Sequence, residues 1–344
     1  MSNAIFSPNS TRADSLHADG TLIDRWGRHI TYLRLSVTDR CDFRCQYCMP
    51  LKVQFLPKKM ILSLEECLRV ARVFTQLGAR KVRITGGEPL TRPNVAWLCE
   101  QIAKLPAKPE VTITTNGSQL RRLAGDLKNA GVNRLNISLD TLDEKKFRRL
   151  THTGSLPSVL DGIDAALAAS FPGGVKLNAV MMRGINDDEI VSLSRFAHSR
   201  GMDISFIEEM PLGDVGYGRG DTYYSADDAM TQLQQAFELQ SCEHDSGGPA
   251  RYWQTAGGKI GFITPHSHNF CASCNRVRVS ANGRLYPCLG QNDAVDLLDA
   301  VRQQSDDALR ARILEAMDIK PKGHDFDLHA DNVKVVRFMS ATGG

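Results

Sequence analysis

The chain has 344 residues, of which 24% are charged, and its formal net charge is +3. This is the composition of a globular protein with one large domain and an appendage, or with two domains. The small net charge does not support a nucleic-acid-binding surface, and the lack of an apolar run of about 18 residues argues against a membrane span.

Residues 1–20 are polar, rich in Ser, Asn and Ala, and lack the apolar core of a secretory signal. We predict a disordered tail there. The chain has nine cysteines, an odd number, and six of them fall into two tight triples. Without an export signal, this pattern predicts metal ligation in a reducing compartment and therefore a cytoplasmic protein. Cys67 and Cys99 lie within predicted helices, and we expect both to be core residues.

The first triple follows a predicted strand. Residues 30–37 alternate apolar and branched side chains, which indicates a buried strand, and Cys41, Cys45 and Cys48 come directly after it. A closed zinc site needs four ligands, and no fourth Cys or His is near in sequence. Three thiolates on a four-iron cluster leave one iron free for another ligand, which favours a cluster here. The alternatives are a zinc site completed by a distant residue, or three thiols buried as small hydrophobic groups.

Strands and helices alternate from there to residue 207. Ser63 and Glu66 have capping-box spacing at the start of the first helix, and Pro93 suits the first turn of the next, which is predicted to end at Lys104. A later helix is predicted at 187–199. The further strands are predicted at residues 81–85, 111–115, 134–139, 175–181 and 203–207. This alternation predicts a parallel sheet, open or closed into a barrel, with a ligand site at the carboxyl ends of its strands.

Beyond residue 247 the pattern changes, and we predict a second domain. Strand-like segments at 251–254 and 259–263 lead into the second triple, and helical patterns follow at 293–303 and 305–317. The predicted organisation is therefore a tail at 1–20, a core domain at 21–246 and a C-terminal domain at 247–344.

The second triple consists of Cys271, Cys274 and Cys288, again without an obvious fourth cysteine. His266 or His268 can complete a zinc site with these thiols, and for an isolated triple this would be the favoured interpretation. Beside a first three-thiolate site, the pattern favours two iron–sulfur clusters, each with an open iron.

Five cationic residues are candidates for a phosphate site. Arg276 and Arg278 are two positions apart, so an extended segment points both guanidinium groups the same way, where they can pair with phosphate oxygens. Arg34, Arg83 and Lys176 lie on predicted core strands, where an unpaired charge is costly. An isolated Arg-x-Arg pair is more typical of a solvated strand face, but the five cations together indicate a polyphosphate pocket.

Residues near the strand ends complete the predicted site. Gly86 and Gly87 let the backbone approach a ligand closely and offer amide donors. Thr114, Ser138 and Met210 lie at or just beyond the ends of the third, fourth and sixth strands. We expect them to face the same cavity, although each alone is more typical of a packing or capping residue.

The Cys-x3-Cys-x2-Cys motif, with Tyr47 before its last cysteine, resembles the radical S-adenosylmethionine (SAM) superfamily. Within that superfamily, segments 38–50, 83–89 and 270–278 and the terminal Gly343-Gly344 resemble the GTP 3′,8-cyclase family of molybdenum cofactor biosynthesis. The second triple with its embedded arginines is the discriminating feature, because the first triple is common to the whole superfamily.

The resemblance implies an α/β fold with a six-stranded partial (β/α) barrel and a smaller C-terminal domain that carries a second iron–sulfur cluster. The cofactors would be SAM and two [4Fe-4S] clusters held by the two triples. The residues around SAM would be Tyr47, Gly87, Ser138 and Met210. The GTP-binding residues would be Arg34, Arg83, Thr114, Lys176, Arg276 and Arg278, with Thr112 or Thr115 as alternatives to Thr114. The catalytic residues would be Arg276, Arg278, Gly343 and Gly344, with the two glycines reaching into the active site.

The resemblance also implies a reaction and partners. Reductive cleavage of SAM would give a 5′-deoxyadenosyl radical that takes the 3′ hydrogen of GTP, and the ribose radical would attack C8 of the guanine. The product would be (8S)-3′,8-cyclo-7,8-dihydroguanosine 5′-triphosphate. Expected partners are GTP, an electron donor and the downstream cyclic pyranopterin monophosphate synthase, without nucleic acid or membrane, and with a homodimer as one candidate assembly. The alternative functions are a radical SAM peptide-modifying enzyme with an auxiliary cluster and a zinc-stabilised nucleic-acid-binding protein.

Overall fold

The structure, a computed structural model, describes residues 16, 20–243, 248–328 and 333–343. Apart from residues 16 and 20, the predicted tail lies outside the described residues, and so does the predicted domain boundary at 246–247. No helix in the described ranges is long and apolar enough to cross a lipid bilayer.

The described strands form one twelve-stranded sheet. They are β1 Tyr32–Ser36, β2 Lys81–Thr85, β3 Glu110–Thr115, β4 Arg134–Ser138, β5 Val175–Met181, β6 Asp203–Glu208, β7 Gln240–Cys242, β8 Arg251–Gln254, β9 Lys259–Ile263, β10 Arg276–Val279, β11 Arg284–Tyr286 and β12 Val295–Asp296. The spatial order is β12-β11-β10-β1-β2-β3-β4-β5-β6-β9-β8-β7. Strands β1 to β6 are parallel neighbours in chain order, as predicted from the alternation of elements.

The C-terminal region extends this sheet at both ends. β10 pairs in parallel with β1, and β9 pairs in parallel with β6. The outer strands β11 and β12 on one side, and β8 and β7 on the other, are antiparallel. The region expected to form a second domain therefore contributes strands to the same sheet as the core.

The described helices run mainly between consecutive parallel strands. They are α1 Leu64–Gln76, α2 Val95–Ala103, α3 Leu120–Asn129, α4 Glu144–Thr151, α5 Leu156–Ala169, α6 Ile190–Ser199, α7 Arg219–Thr222, α8 Ala226–Gln234, α9 Leu298–Gln303, α10 Asp306–Asp318 and α11 Met339–Thr342. The predicted capping box of α1 is present, because Ser63 and Glu66 each bond the other's backbone N–H.

Two predicted helices differ at their starts. The helix predicted from Pro93 begins at Val95, because Asn94 adopts a left-handed backbone conformation with φ of 61°. The helical pattern at 293–303 begins instead as strand β12, which pairs with β11, and turns helical only at Leu298. In that segment, pairing with a neighbouring strand overrides the local periodicity.

The parallel strands present two different faces. On one face, residues such as Leu33, Ile84, Ile113 and Leu177 are fully buried in the apolar core, which also includes Cys67 and Cys99 and their helices. A sheet covered by helices on both faces has strands that are apolar throughout. Here polar and charged residues such as Arg34 alternate with the apolar ones. The second face is therefore the wall of a polar site.

Candidate functional site

The polar face of the sheet encloses a cavity of about 300 Å³. Residues of β1 and of β6 line it together, so the sheet curves around the cavity. All six cysteines of the two triples also line it. Folding therefore brings together two groups of thiols that are more than two hundred residues apart in sequence.

The first triple lies on the loop after β1, as predicted. Helix α4 anchors the loop, because the amides of Arg44 and Gln46 donate to carbonyls at the end of that helix. Asp42 fixes its start by accepting hydrogen bonds from Asn116 (2.7 Å) and Ser118 (2.6 Å). Burial raises the pKa of the Cys48 thiol to about 12 and that of Cys45 well above its usual range. A bound metal deprotonates its thiol ligands, so this half-buried donor set suits a cationic metal centre.

Tyr47, between the last two cysteines, is fixed by a carboxylate that sequence reasoning did not include in the site. Its hydroxyl donates to Asp140 Oδ2 at 2.8 Å, and Asp140 Oδ1 accepts the Val180 amide at 2.8 Å. Burial raises the pKa of Asp140 to about 6. Asp140 lies two residues beyond β4, and its place after a strand end was the signal that could have identified it.

The Gly86-Gly87 turn packs tightly against the cysteine loop. The Gly87 amide donates to the Thr38 carbonyl at 2.8 Å, and a Cβ at position 87 would overlap the Arg40 carbonyl. Glu88 then ties this turn to the end of β3, because it accepts from Thr115 Oγ1 (2.8 Å) and the Asn116 amide (2.6 Å). Only glycine permits this approach at position 87, so the turn and the cysteine loop have a fixed relative position.

The five predicted cations line the cavity together. Strand register places three arginines in one row, because Arg34 is opposite Arg83 on β2 and opposite Arg278 on β10. Within the described part of the chain, none of the five cations has a carboxylate within ion-pair distance. Burial, with the neighbouring Arg83 and Arg276 charges, lowers the pKa of Arg34 to about 10 despite the opposing effect of Tyr32. This concentration of unpaired positive charge needs an anion, as a polyphosphate site would.

Two tyrosines orient two of these cations, Arg83 and Lys176, and neither tyrosine was among the predicted site residues. Arg83 Nε donates to the Tyr32 hydroxyl, and Arg83 Nη1 donates to Thr114 Oγ1 at 2.9 Å. Lys176 Nζ donates to the Tyr252 hydroxyl and to Ser205 Oγ, both at 3.0 Å. Burial acts to raise the pKa of Tyr32, but the charges of Arg83, Arg34 and Lys81 outweigh it and lower the pKa to about 7. Tyr32 precedes Arg34 by two positions, so period-two alternation could have placed it on the same face.

Three threonines of β3 were candidates for one contact, and they have different surroundings. Thr114 lines the cavity beside Arg83. Thr115 also lines it, but its hydroxyl donates to Glu88. Thr112 is fully buried, and its hydroxyl has no hydrogen-bond partner among the described residues. The geometry favours Thr114, and Ser138 and Met210 line the same cavity.

The second triple is assembled from two segments. Cys271 and Cys274 precede β10, and Cys288 follows β11, which pairs antiparallel with β10. Burial acts to raise the pKa of Cys274, but the charges of Arg276 and Lys320 outweigh it and lower the pKa to about 7. The Cys271 carbonyl accepts from Arg28 Nη1 at 2.8 Å. Lys320 and Arg28 gave no local signal in the sequence, since their role depends on contacts with distant segments.

The two histidines considered as zinc ligands beside the second triple have other partners. His266 Nε2 lies 2.9 Å from the Glu209 carbonyl, and His268 Nε2 lies 3.3 Å from Asp227 Oδ1. Among the described residues, no three His, Cys, Asp or Glu side chains converge on a single ion. A cluster takes one thiolate per iron, so its ligands need not converge on one point. The three thiols of the second triple can therefore hold an iron–sulfur cluster.

The C-terminal segment reaches the same cavity. The Gly343 carbonyl accepts from Arg278 Nη1 at 2.6 Å, and Met339 lines the cavity. Gly343 has φ of 77°, and a Cβ there would overlap the Thr85 hydroxyl, so glycine is required on both counts. Gly344 lies outside the described residues.

Comparisons with known proteins identify the family. The radical SAM superfamily model matches residues 35–197, and the Molybdenum Cofactor Synthesis C model matches residues 202–326. A protein of Pseudomonas entomophila (strain L48) named GTP 3′,8-cyclase is 54% identical over 329 residues, covering 94% of this chain and 98% of the relative. The chain belongs to the GTP 3′,8-cyclase family. A GTP 3′,8-cyclase of Rhizobium etli (strain CIAT 652) is 51% identical over 340 residues, which cover 96% of this chain and 97% of the relative.

The fold of this GTP 3′,8-cyclase family member is similar to that of solved structures. SuiB of Streptococcus suis bound to precursor peptide SuiA has a TM-score of 0.57 and 16% identity, covering 85% of this chain and 65% of SuiB. SuiB bound to S-adenosylmethionine has a TM-score of 0.54, covering 83% and 65%. The chain thus spans just under two thirds of these SuiB chains, and the likeness is one of fold alone. With the family-model matches, the fold is an α/β radical SAM fold followed by the Molybdenum Cofactor Synthesis C region.

Proposed function

We propose that this chain converts GTP into (8S)-3′,8-cyclo-7,8-dihydroguanosine 5′-triphosphate, the first step of molybdenum cofactor biosynthesis. One observation carries the proposal, namely that both cysteine triples and the five cations line a single cavity. Such a cavity can hold a nucleotide triphosphate between two metal centres. The names of the relatives agree with this chemistry.

Two [4Fe-4S] clusters and SAM are the proposed cofactors. Cys41, Cys45 and Cys48 hold the first cluster, and the second triple holds the other. When bound, the first cluster would supply the electron for SAM cleavage, and the second would offer an open iron as a site for the guanine. The half-buried thiols of the first triple and the separate partners of His266 and His268 support this assignment.

The chain's own residues bind and orient GTP in this proposal. The row of Arg278, Arg34 and Arg83 offers guanidinium groups that can pair with phosphate oxygens, and Arg276 and Lys176 extend it. The hydroxyl of Thr114, beside Arg83, can donate a hydrogen bond to GTP or accept one from it. The hydroxyls of Tyr32 and Tyr252 keep Arg83 and Lys176 in place before the substrate arrives. This preorganisation lowers the entropy lost when the triphosphate binds.

SAM is proposed to lie across the strand ends nearest the first triple. Gly87, Ser138, Met210 and Tyr47 line that part of the cavity, and Asp140 holds the Tyr47 hydroxyl. The curved run of β1 to β6 is proposed to be the six-stranded partial barrel, with residues 247–344 as the C-terminal domain that carries the second cluster.

The two terminal glycines are proposed to close the active site. The bond from Arg278 to the Gly343 carbonyl supports a catalytic role for Gly343 and Arg278, and we extend that role to Arg276 and Gly344. The cytoplasm, where thiols stay reduced, is the proposed location. The proposed partners are an electron donor, the cyclic pyranopterin monophosphate synthase that takes the product, and a second copy of the chain in a homodimer.

The test uses anaerobically purified protein and GTP deuterated at the ribose 3′ position. We expect about eight irons per chain, and deuterium should appear in 5′-deoxyadenosine in step with cyclised GTP. Unlabelled 5′-deoxyadenosine formed at the same rate as cyclised GTP would refute hydrogen abstraction at that carbon. About four irons without a cyclised product would refute the role of the second triple.

A further inference from the structure

Lys320 is a buried cation that lies behind the second triple. Its side chain is 1% exposed, and it is not among the residues that line the cavity. Its ammonium donates to the carbonyls of Arg276 (3.0 Å) and Pro287 (2.6 Å) and lies 3.8 Å from Cys274 Sγ. Among the described residues no carboxylate lies within ion-pair distance of it, so Lys320 needs another source of negative charge.

The contacts of Lys320 join the two segments that carry the second triple. Arg276 follows Cys274 by two positions, and Pro287 directly precedes Cys288. One ammonium has three N–H donors, and here all three have an acceptor. Lys320 therefore fixes the backbone beside two of the three thiols and sets the distance between them.

The positive charges of Lys320 and Arg276 differ in their access to the cavity. Arg276 Nη2 also lies near Cys274 Sγ, at 3.9 Å, but Arg276 lines the cavity. Under the proposed function its charge is shared with the phosphates of GTP. Lys320 has no access to the cavity, so its charge remains directed at the thiolates whether or not substrate is bound.

We propose that Lys320 is a positioning residue for the second cluster and that its charge keeps the reduction potential of that cluster high. This inference rests on the proposed function. Reduction adds one negative charge to a cluster, and a nearby cation with an N–H directed at a ligand sulfur stabilises that charge. Removing the ammonium should therefore disfavour the reduced state.

The experiment uses the full chain with Cys41, Cys45 and Cys48 replaced by alanine, so that only the second triple can load iron. Four proteins are reconstituted anaerobically, namely the parent, Lys320→Met, Lys320→Gln and the control Lys322→Met. The reduction potential of the cluster in each is then measured by a redox titration followed by EPR. Lys320→Met should make reduction about tenfold less favourable, which is about 59 mV for one electron. Lys320→Gln keeps N–H donors without the charge and should give a smaller shift. Lys322 is exposed, its ammonium lies over the Trp26 ring, and its replacement should give no shift.

The outcomes separate the inference from the proposed function. A parent that loads no iron would overturn both. Loaded Lys320→Met and Lys320→Gln variants with the parent's potential would overturn the inference and leave the proposed function intact. If Lys320→Met does not fold, by far-UV circular dichroism, the potential of Lys320→Gln decides by the same criterion. If both variants fold but load less iron than the control, the positioning role is supported.

Discussion

The two cysteine triples line one cavity but are built in different ways. The first occupies eight consecutive residues on one loop, and its supports come from the neighbouring strand ends and α4. The second is drawn from both sides of a hairpin at the side of the parallel core, and cations from distant segments hold it, among them Arg28 and Lys320. The cysteines of both triples could be recognised from their spacing, whereas the residues that hold the composite site depend on the whole fold.

Replacing one cysteine in each triple should give the largest difference in activity between variants of the two sites. Cys48→Ala should abolish 5′-deoxyadenosine formation, because SAM is proposed to bind at the first cluster. Cys288→Ala should leave SAM cleavage within about tenfold of the parent, because Cys288 is proposed to hold the second cluster and not the one that binds SAM, but should abolish cyclised GTP. Both products are measured chromatographically, with Cys242→Ala as the control. Equal loss of SAM cleavage in both variants would contradict two separate roles.

Breaking the ion pair at Arg28 should damage the second site alone. Arg28 Nε lies 2.6 Å from Asp24 Oδ2, both are buried, and the guanidinium also donates to the carbonyls of Cys271, Pro321 and Lys322. Arg28→Met leaves the Asp24 charge unpaired, which costs about 3–5 kcal/mol of local stability. Iron should fall from about eight toward about four per chain, with SAM cleavage retained.

The matched control for this change is Arg25→Met, because Arg25 is an exposed neighbour. Replacing both partners, with Asp24→Asn and Arg28→Met together, should restore part of the iron, since no charge is then left unpaired. Loss of iron from the first cluster in Arg28→Met would show that the two sites are not independently supported.

Removing a phosphate contact should affect substrate and not SAM. Arg276→Ala should weaken GTP binding by about 1.5–3 kcal/mol, roughly 10–150-fold in Kd, the range for hydrogen bonds to charged groups. The Kd for SAM should stay unchanged, and SAM cleavage should remain possible. Both constants are measured by anaerobic calorimetry, with the exposed Arg284→Ala on β11 as the control. Normal GTP binding in Arg276→Ala would remove the phosphate role from this residue.

The smallest effect concerns pH. With its pKa lowered to about 7, Tyr32 loses its proton as the pH rises from 6 to 8, which adds a negative charge beside the arginine row. GTP affinity should therefore fall with rising pH by up to about tenfold more in the parent than in Tyr32→Phe. The Kd at pH 6, 7 and 8 tests this, with Tyr286→Phe as the control. Parallel pH profiles for the parent and Tyr32→Phe would show that Tyr32 does not titrate in this range.

Much of the fold could be predicted because its signals are local. The predicted bounds of β2, β5, β8 and β9 agree with the structure, and the capping box of α1 is present. The pairing of β10 with β1 could not be predicted, because hydrophobic periodicity does not specify which distant strand is the neighbour. Strand β7 and helices α7 and α8 were not predicted.

The same limit applies to the site. Cysteine spacing, and cations on strands that were expected to be apolar, identified residues that do line the cavity. Tyr252 and Lys320 were missed, because each acts through a partner on another segment. Their roles follow from tertiary contacts and not from residue type.

The pairing of β10 with β1 also has a consequence for the order of folding. Asn275 and Thr31, which hydrogen-bond beside this pairing, are 244 positions apart. Contacts between such distant segments form late, because a long loop must close first, and domains fold during synthesis from the N-terminal side. The row of Arg278, Arg34 and Arg83 exists only after β10 has docked. We therefore expect a nascent chain to complete the loop of the first triple while it still lacks a nucleotide pocket.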